Sequence, residues 1–179
     1  VKENFLALGW RLRWEKRLQA YLDWQRAQEA GGWRWDVAEE RVSRAVPLPD
    51  GASIELYGRI DRIDRNIDDE VGAALFDYKT QSAKVIRDRL KDDVQLPAYA
   101  LMHGRAAQAA YVALDDESVV AVTSGSENKP LMVEAEGQGL RLSTVFGALR
   151  AGAQLPALGA DGVCTWCEMS GLCRRGFVG

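Results

Sequence analysis

Between Ser53 and Lys79 the chain sets two extended, apolar-rich runs on either side of one polar turn, and no other stretch limits the fold as much. Ser53 to Asp64 is rich in Ile, Leu and Tyr, and the second run closes on Leu75-Phe76-Asp77-Tyr78-Lys79. The connecting Asn66-Ile67-Asp68-Asp69-Glu70-Val71-Gly72 is polar and ends in glycine, so the two runs read as the strands of a β-hairpin. Side chains alternate along a strand, which puts Asp77 and Lys79 on one face and Phe76 and Tyr78 on the other. The hairpin partner then brings Asp61 close to Asp77.

Two carboxylates and one amine at neighbouring strand ends are the minimum equipment for holding a divalent metal against a phosphodiester. Hard cations such as Mg²⁺ take oxygen ligands and keep several waters, so Asp61, Asp77 and a backbone carbonyl, that of Tyr78, make a sufficient site. Lys79 beside them would orient or help deprotonate the attacking water and offset charge developing on phosphate. An isolated Asp-x-Lys tripeptide is more often a solvated turn with incidental salt bridges. The added Gly58-x-x-Asp61 strand weakens that alternative considerably.

Periodicity supplies the surroundings. Phe5, Leu8, Leu12, Leu18, Tyr21, Leu22 and Trp24 recur near three- and four-residue spacing, which predicts an amphipathic helix over residues 3–30 closed by Gly31-Gly32. Its apolar stripe, with Trp10, Trp14 and Trp24, reads as core packing, although exposed aromatics can also platform single strands. Trp33 and Trp35 begin an extended segment that Val37 to Leu48 continues, and Pro47-Leu48-Pro49-Asp50-Gly51 turns it into the Asp61 strand. Gln95 and Tyr99, four apart, project from one face of a further helix, with Pro97 in its first turn or at a kink. The bland alternative makes Tyr99 core and Gln95 a surface amide. Ala109 to Leu114 and Ser118 to Thr123 read as strands joined by an acidic turn, and Leu140 to Ala151 as helix. Helix, three strands, helix, strands, helix is the order of a mixed sheet flanked by helices.

Gly58-Arg59-Ile60-Asp61-Arg62-Ile63-Asp64, Asp77-Tyr78-Lys79-Thr80 and Gln95-Leu96-Pro97-Ala98-Tyr99 closely resemble the RecB/AddB-like nuclease domain of the PD-(D/E)XK superfamily, where G-x-x-D, D-x-K and Q-L-x-x-Y occur in this order. The resemblance spans roughly residues 5 to 175. It implies an α/β, restriction-endonuclease-like core in which Asp61 and Asp77 are metal ligands for Mg²⁺ or Mn²⁺. Lys79 becomes the catalytic lysine, and Gln95 and Tyr99 supporting residues near the DNA. Many such nucleases carry a ligating histidine on the first helix as G-x-x-x-H; counted from Gly9, that position holds Arg13. The sole histidine, His103, stands at a helix end before Gly104. Glu15 on the same helix could supply the missing ligand, and Glu39 or Glu40 could approach from the following segment.

Cys164-Thr165-Trp166-Cys167 and Cys173 form a C-x₂-C-x₅-C cluster that contains every cysteine of the chain. A cytoplasmic protein is a poor place for a structural disulfide, so metal ligation, by zinc or an iron-sulfur cluster, reads better than a reduced turn packed on Trp166. In several RecB/AddB-like nucleases such a trio joins an upstream cysteine around a [4Fe-4S] cluster. Here the fourth ligand would lie outside the sequence, and Zn²⁺ is the lesser choice.

At 179 residues and 47% hydrophobic, without a dividing linker, the chain is expected to form one nuclease-like domain over 1–179. Val1 at the start suggests a piece of a longer polypeptide, and in the family this domain commonly follows helicase-like modules. No apolar run reaches membrane-spanning length and no secretory pattern is present, which points to a cytoplasmic protein. The net charge of −3 sits awkwardly with DNA binding, whose affinity rests on phosphate contacts. Positive charge is nevertheless clustered at Arg11, Arg13, Lys16 and Arg17, at Lys84, Arg87, Arg89 and Lys91, and at Arg174-Arg175. Two functions follow: a metal-dependent DNA exonuclease of recombinational repair, or a catalytically weak or silent module that binds DNA or a helicase partner.

Overall fold

The computed structural model describes residues 5–68, 72–154, 161–165, 167–169 and 172–173. A five-stranded sheet in the order β1-β2-β3-β4-β5 forms the middle layer: β1 Trp33–Pro47, β2 Ser53–Asn66, β3 Ala73–Lys79, β4 Ala106–Ala113 and β5 Val120–Thr123. Only β3 and β4 are parallel, and the crossover between them carries two helices, α2 Ala83–Leu90 and α3 Gln95–His103. The long α1 Phe5–Ala30 precedes the sheet, and α4 Leu131–Arg150 and the short α5 Asp161–Cys164 follow it. This is the mixed sheet flanked by helices expected of a restriction-endonuclease-like α/β fold.

Each face of the sheet closes one core. Ile60, Ile63, Leu75, Ala109 and Tyr111 meet Ile86 of α2, Leu96, Ala100 and Leu101 of α3 and Leu131 and Ala135 of α4. On the other face Ala74, Phe76, Ala110 and Val112 pack under Trp24 of α1, with the Trp24 and Phe76 rings edge to face at 5.4 Å. The β2–β3 hairpin is antiparallel, with Arg62 opposite Phe76 and Ile63 opposite Leu75. The alternation of β3 holds: Phe76 and Tyr78 turn to α1, while Asp77 turns to α3.

Strand β2 departs from simple alternation at one residue. Ile60 and Ile63, three apart, both enter the core under α3, whereas Arg62 and Asp64 are buried on the α1 side. The strand therefore twists at Asp61. Opposite it the β1–β2 ladder passes from Ala38–Arg62 to Glu40–Ile60, and Glu39 in between holds a φ of +56°, in the left-handed region that a non-glycine residue seldom adopts.

Three expectations need correction. Trp10 and Trp14 are not core: α1 is long enough to overrun the sheet, and both rings stay about half exposed, 51% and 46%, while Trp24 alone of the three is buried. The stretch read only as a basic cluster, Lys84 to Lys91, is largely helix α2, capped by the Ser82 side chain accepting from the Val85 amide. Helix α4 begins at Leu131 rather than Leu140, because Gly137 and Gly139 interrupt its pattern without breaking it. No helix among the described residues is long and apolar enough to cross a membrane.

Candidate active site

The C-terminal end of β3 carries Asp77, Tyr78 and Lys79, and β2 and α3 supply what surrounds them. Helix α3 starts where it does because Asp93 caps it: its carboxylate accepts from the amides of Gln95 (3.2 Å) and Leu96 (3.1 Å). Pro97 falls in the first turn, where an amide would have no helical acceptor, so the helix is not kinked for its sake. The first residue of that helix, Gln95, thereby reaches the strand end.

Gln95 is the hub. Its Nε2 donates to Asp77 Oδ1 at 2.7 Å and to the Tyr99 hydroxyl at 2.9 Å. Its Oε1 accepts from Lys79 Nζ at 3.3 Å and from the Tyr111 hydroxyl at 3.1 Å. Every contact pairs a donor with an acceptor. Turned over, the amide would press its NH₂ on the Lys79 ammonium, so these neighbours fix its orientation.

Asp77 is 4% exposed and lies 2.6 Å from Lys79 Nζ through Oδ2. Among the described residues Lys79 is thus the one partner of the buried Oδ2. Burial pushes the Asp77 carboxyl above its ordinary pKa, with the Asp61 charge adding to the rise and Lys79 and Gln95 opposing it. Asp61 sits beside it, its Oδ2 accepting from the Tyr78 amide at 3.0 Å. The amide and carbonyl of one strand residue point to the same side, so the Tyr78 carbonyl is aimed towards Asp61 as well. A buried carboxylate, a second carboxylate and a carbonyl are a donor set suited to a hard cation.

The remaining expected residues are placed differently. Glu15 is ion-paired with Arg11 at 2.7 Å on the exposed side of α1. Glu39 pairs with Arg59 at 2.8 Å. Among the described residues no group of three or more His, Cys, Asp or Glu side chains is placed to hold a metal ion, so neither glutamate completes a third carboxylate beside Asp61 and Asp77. His103 ends α3 before Gly104, away from this network. Cys164, Cys167 and Cys173 are free thiols. The Cys167 amide donates to the Cys164 carbonyl at 3.4 Å, Cys173 is exposed, and among the described residues the three thiols are not grouped to hold a metal ion. Trp166, Arg174 and Arg175 lie outside the described residues.

Two participants escape sequence reasoning. Tyr111 sits opposite Asp77 in the parallel β3–β4 register, and its hydroxyl proton lies between Asp93 Oδ1 at 2.6 Å and Gln95 Oε1 at 3.1 Å. Burial and the Asp93 hydrogen bond push its phenol far above the ordinary value, so it stays protonated. Lys79 Nζ stands 4.9 Å from its ring centroid. On the opposite face, Arg62 grips Asp64 through two bonds of 2.6 Å, lies over Trp24 and donates to the Tyr21 hydroxyl at 3.1 Å. Burial alone would lower the Arg62 pKa; the bonds to Asp64 and Tyr78 outweigh it. The pair pins α1 to the hairpin directly behind Asp61.

Among solved structures, the crystal structure of SSO0001 is similar at 18% identity and a TM-score of 0.49, covering 96% of this chain and 71% of that one. No curated protein matches. The family model of the PD-(D/E)XK nuclease superfamily matches residues 2–174, nearly the whole sequence, and the chain belongs to that superfamily.

Proposed function

We propose that this protein is a metal-dependent DNA nuclease in which Asp61, Asp77 and the Tyr78 carbonyl hold Mg²⁺ or Mn²⁺. The observation that carries the reading is the meeting of Asp61, Asp77 and Lys79 at one strand end, where Asp77 is buried, its carboxyl is pushed above its ordinary pKa by burial, and Asp61 stands beside it. Two carboxylates gathered at a buried strand end repel one another even with Lys79 as a partner, and a cation would offset that repulsion.

Members of the superfamily typically use divalent metals. When bound, the ion lowers the pKa of water and neutralises charge on phosphate. The chain's own groups do the rest. Lys79, held by Gln95 and Asp77, positions the attacking water and stabilises negative charge as the P–O bond breaks. Gln95 and Tyr99 keep Lys79 and Asp77 in register, and in this reading they are the supporting residues near the DNA.

At finer grain, the three ordered motifs support the RecB/AddB type, an exonuclease of DNA repair or recombination that works with helicase-like domains in the cytoplasm. We also propose that 1–179 is one domain. An iron-sulfur or zinc centre forms no part of this reading, and Glu15 is left out of the metal shell. One observation favours the second reading, a silent DNA- or helicase-binding module: no third acidic or histidine ligand joins Asp61 and Asp77 among the described residues.

The test is labelled single- and double-stranded DNA incubated with the protein in EDTA, Mg²⁺ and Mn²⁺. Cleavage that appears only with a divalent ion supports the nuclease. Binding without cleavage under every condition supports the silent module.

A further inference from the structure

Helix α1 carries one inward stripe, and its two ends do different things. Tyr21 and Trp24 lie against the sheet. One turn earlier Arg17 is tied to the loop after β4, donating to the carbonyls of Leu114 and Asp116 and pairing with Asp115 at 2.9 Å. Trp14 and Trp10 continue the same stripe at helical spacing, past the last residue of the strands, and among the described residues both rings stay about half exposed. Two half-exposed indoles on the inward side of a helix are unusual, because large aromatics normally bury most of their area.

They stand at the end of β3 that bears Asp77 and Lys79, but on the opposite face of the sheet from those side chains. A narrow cleft of about 20 Å³ is lined by Trp10, Arg13, Trp14, Thr80 and Leu114, and Thr80 directly follows Lys79. The Arg13 guanidinium stands 5.3 Å over the Trp10 ring. Beyond it opens a cavity of about 600 Å³ with Arg13, Lys16 and Arg17 on one wall and Asp115, Asp116 and Glu117 on the other. The charges across it are not equally free. Asp115 pairs with Arg17 and Asp116 accepts the Ala83 amide at 2.6 Å, while Arg13 and Lys16 on one wall and Glu117 on the other make no ion pair among the described residues.

We infer that Trp10, Arg13 and Trp14 form a stacking platform for the unpaired nucleobases that flank the scissile phosphate, with Lys16 and the Arg13 charge meeting the neighbouring phosphates. Aromatic rings interleaved with uncommitted cations are the chemistry that holds single strands, since each base offers a π-face and each linkage a negative charge. A duplex hides its base faces and gains only the cations. The platform thus selects unpaired strands at the step before Lys79 and Asp77 act, and this inference rests on the nuclease reading for what happens next.

Binding is tested apart from cleavage, in an Asp77→Asn background, by fluorescence anisotropy of a labelled oligo-dT and of a blunt duplex of equal length. Trp10→Ala/Trp14→Ala is expected to weaken oligo-dT binding about tenfold or more for each ring. Trp10→Phe/Trp14→Phe should restore most of it, and duplex binding should change less than twofold. Oligo-dT should also quench the tryptophan fluorescence of the parent protein more than that of the Phe variant, a readout that needs no alanine variant to fold. Unchanged oligo-dT binding, or an equal loss for duplex, overturns the platform. Loss of contact with a protein partner instead, with DNA binding intact, would assign this face to that partner. If the platform behaves as expected but the parent chain never cleaves, the nuclease reading alone fails.

Discussion

Gly58 of β2 lies beneath the ring of Tyr99 on α3: a Cβ at Gly58 would stand 3.3 Å from Tyr99 Cε1 and 2.9 Å from Met102 Cε. The glycine of G-x-x-D thus makes room for the tyrosine of Q-L-x-x-Y, which receives Gln95 Nε2. Two motifs far apart in sequence are one contact.

Gly58→Ala should therefore act through Tyr99. The Met102 methyl can swing away, but the ring must give by a few tenths of an ångström, so stability should fall only slightly. Gly58→Val, with a larger side chain, should displace the ring and lower turnover about tenfold or more, in the range found when groups supporting a metal site are disturbed. Steady-state cleavage rates and urea midpoints of the two variants check this.

The raised pKa of Asp77 gives a pH dependence whose sign is fixed. Its folded value lies above the unfolded value of about 3.9. The stability it contributes is fully present below the unfolded value and is lost as pH rises through the folded one. At neutral pH the ionised, buried carboxyl costs stability, and a divalent ion offsets that cost. Mn²⁺ should raise the melting temperature more at pH 7.5 than at pH 5; an equal shift at both would place the ion elsewhere.

Tyr111→Phe removes the hydroxyl between Asp93 and Gln95 while keeping the ring under Lys79. A hydrogen bond to a charged acceptor is worth about 1.5–3 kcal/mol, so the urea midpoint should drop accordingly. Gln95 Oε1 would keep Lys79 as its partner, and cleavage should fall about tenfold. A variant stable as the parent, with full activity, would remove Tyr111 from the network.

Arg62→Ala strands Asp64, which is 0% exposed, and should destabilise the fold by about 3–5 kcal/mol. Replacing both partners with apolar residues, Arg62→Met with Asp64→Leu, should cost much less than the single change. Chemical denaturation of both variants provides the comparison.

Much of this was legible in the residues, and the reasons for the rest are specific. The hairpin, the faces of β3 and the start of α3 follow from alternation, a glycine-closed turn and a four-residue spacing. Tyr111 was not legible, because only the parallel pairing of β3 with β4 sets it opposite Asp77. Asp93 had a local signal, an acid two residues before Gln95, that its capping role explains. Helix α2 was hidden because Lys84, Arg87, Arg89 and Lys91 drew attention from Ile86 and Leu90 at helical spacing and from the Ser82 cap. Trp10 and Trp14 share the periodicity of Trp24, and periodicity cannot tell where a sheet ends beneath a helix.

The central claim is that Asp77 and Lys79 perform the chemistry. It is tested most directly by the cleavage rate of one labelled single-stranded oligonucleotide in Mn²⁺ with the parent protein, Asp77→Ala and Lys79→Ala, each checked for a cooperative melt. Loss of about 10²–10³-fold or more in both variants, with folding retained, is the predicted result. Cleavage that continues at the parent rate in either variant would contradict it.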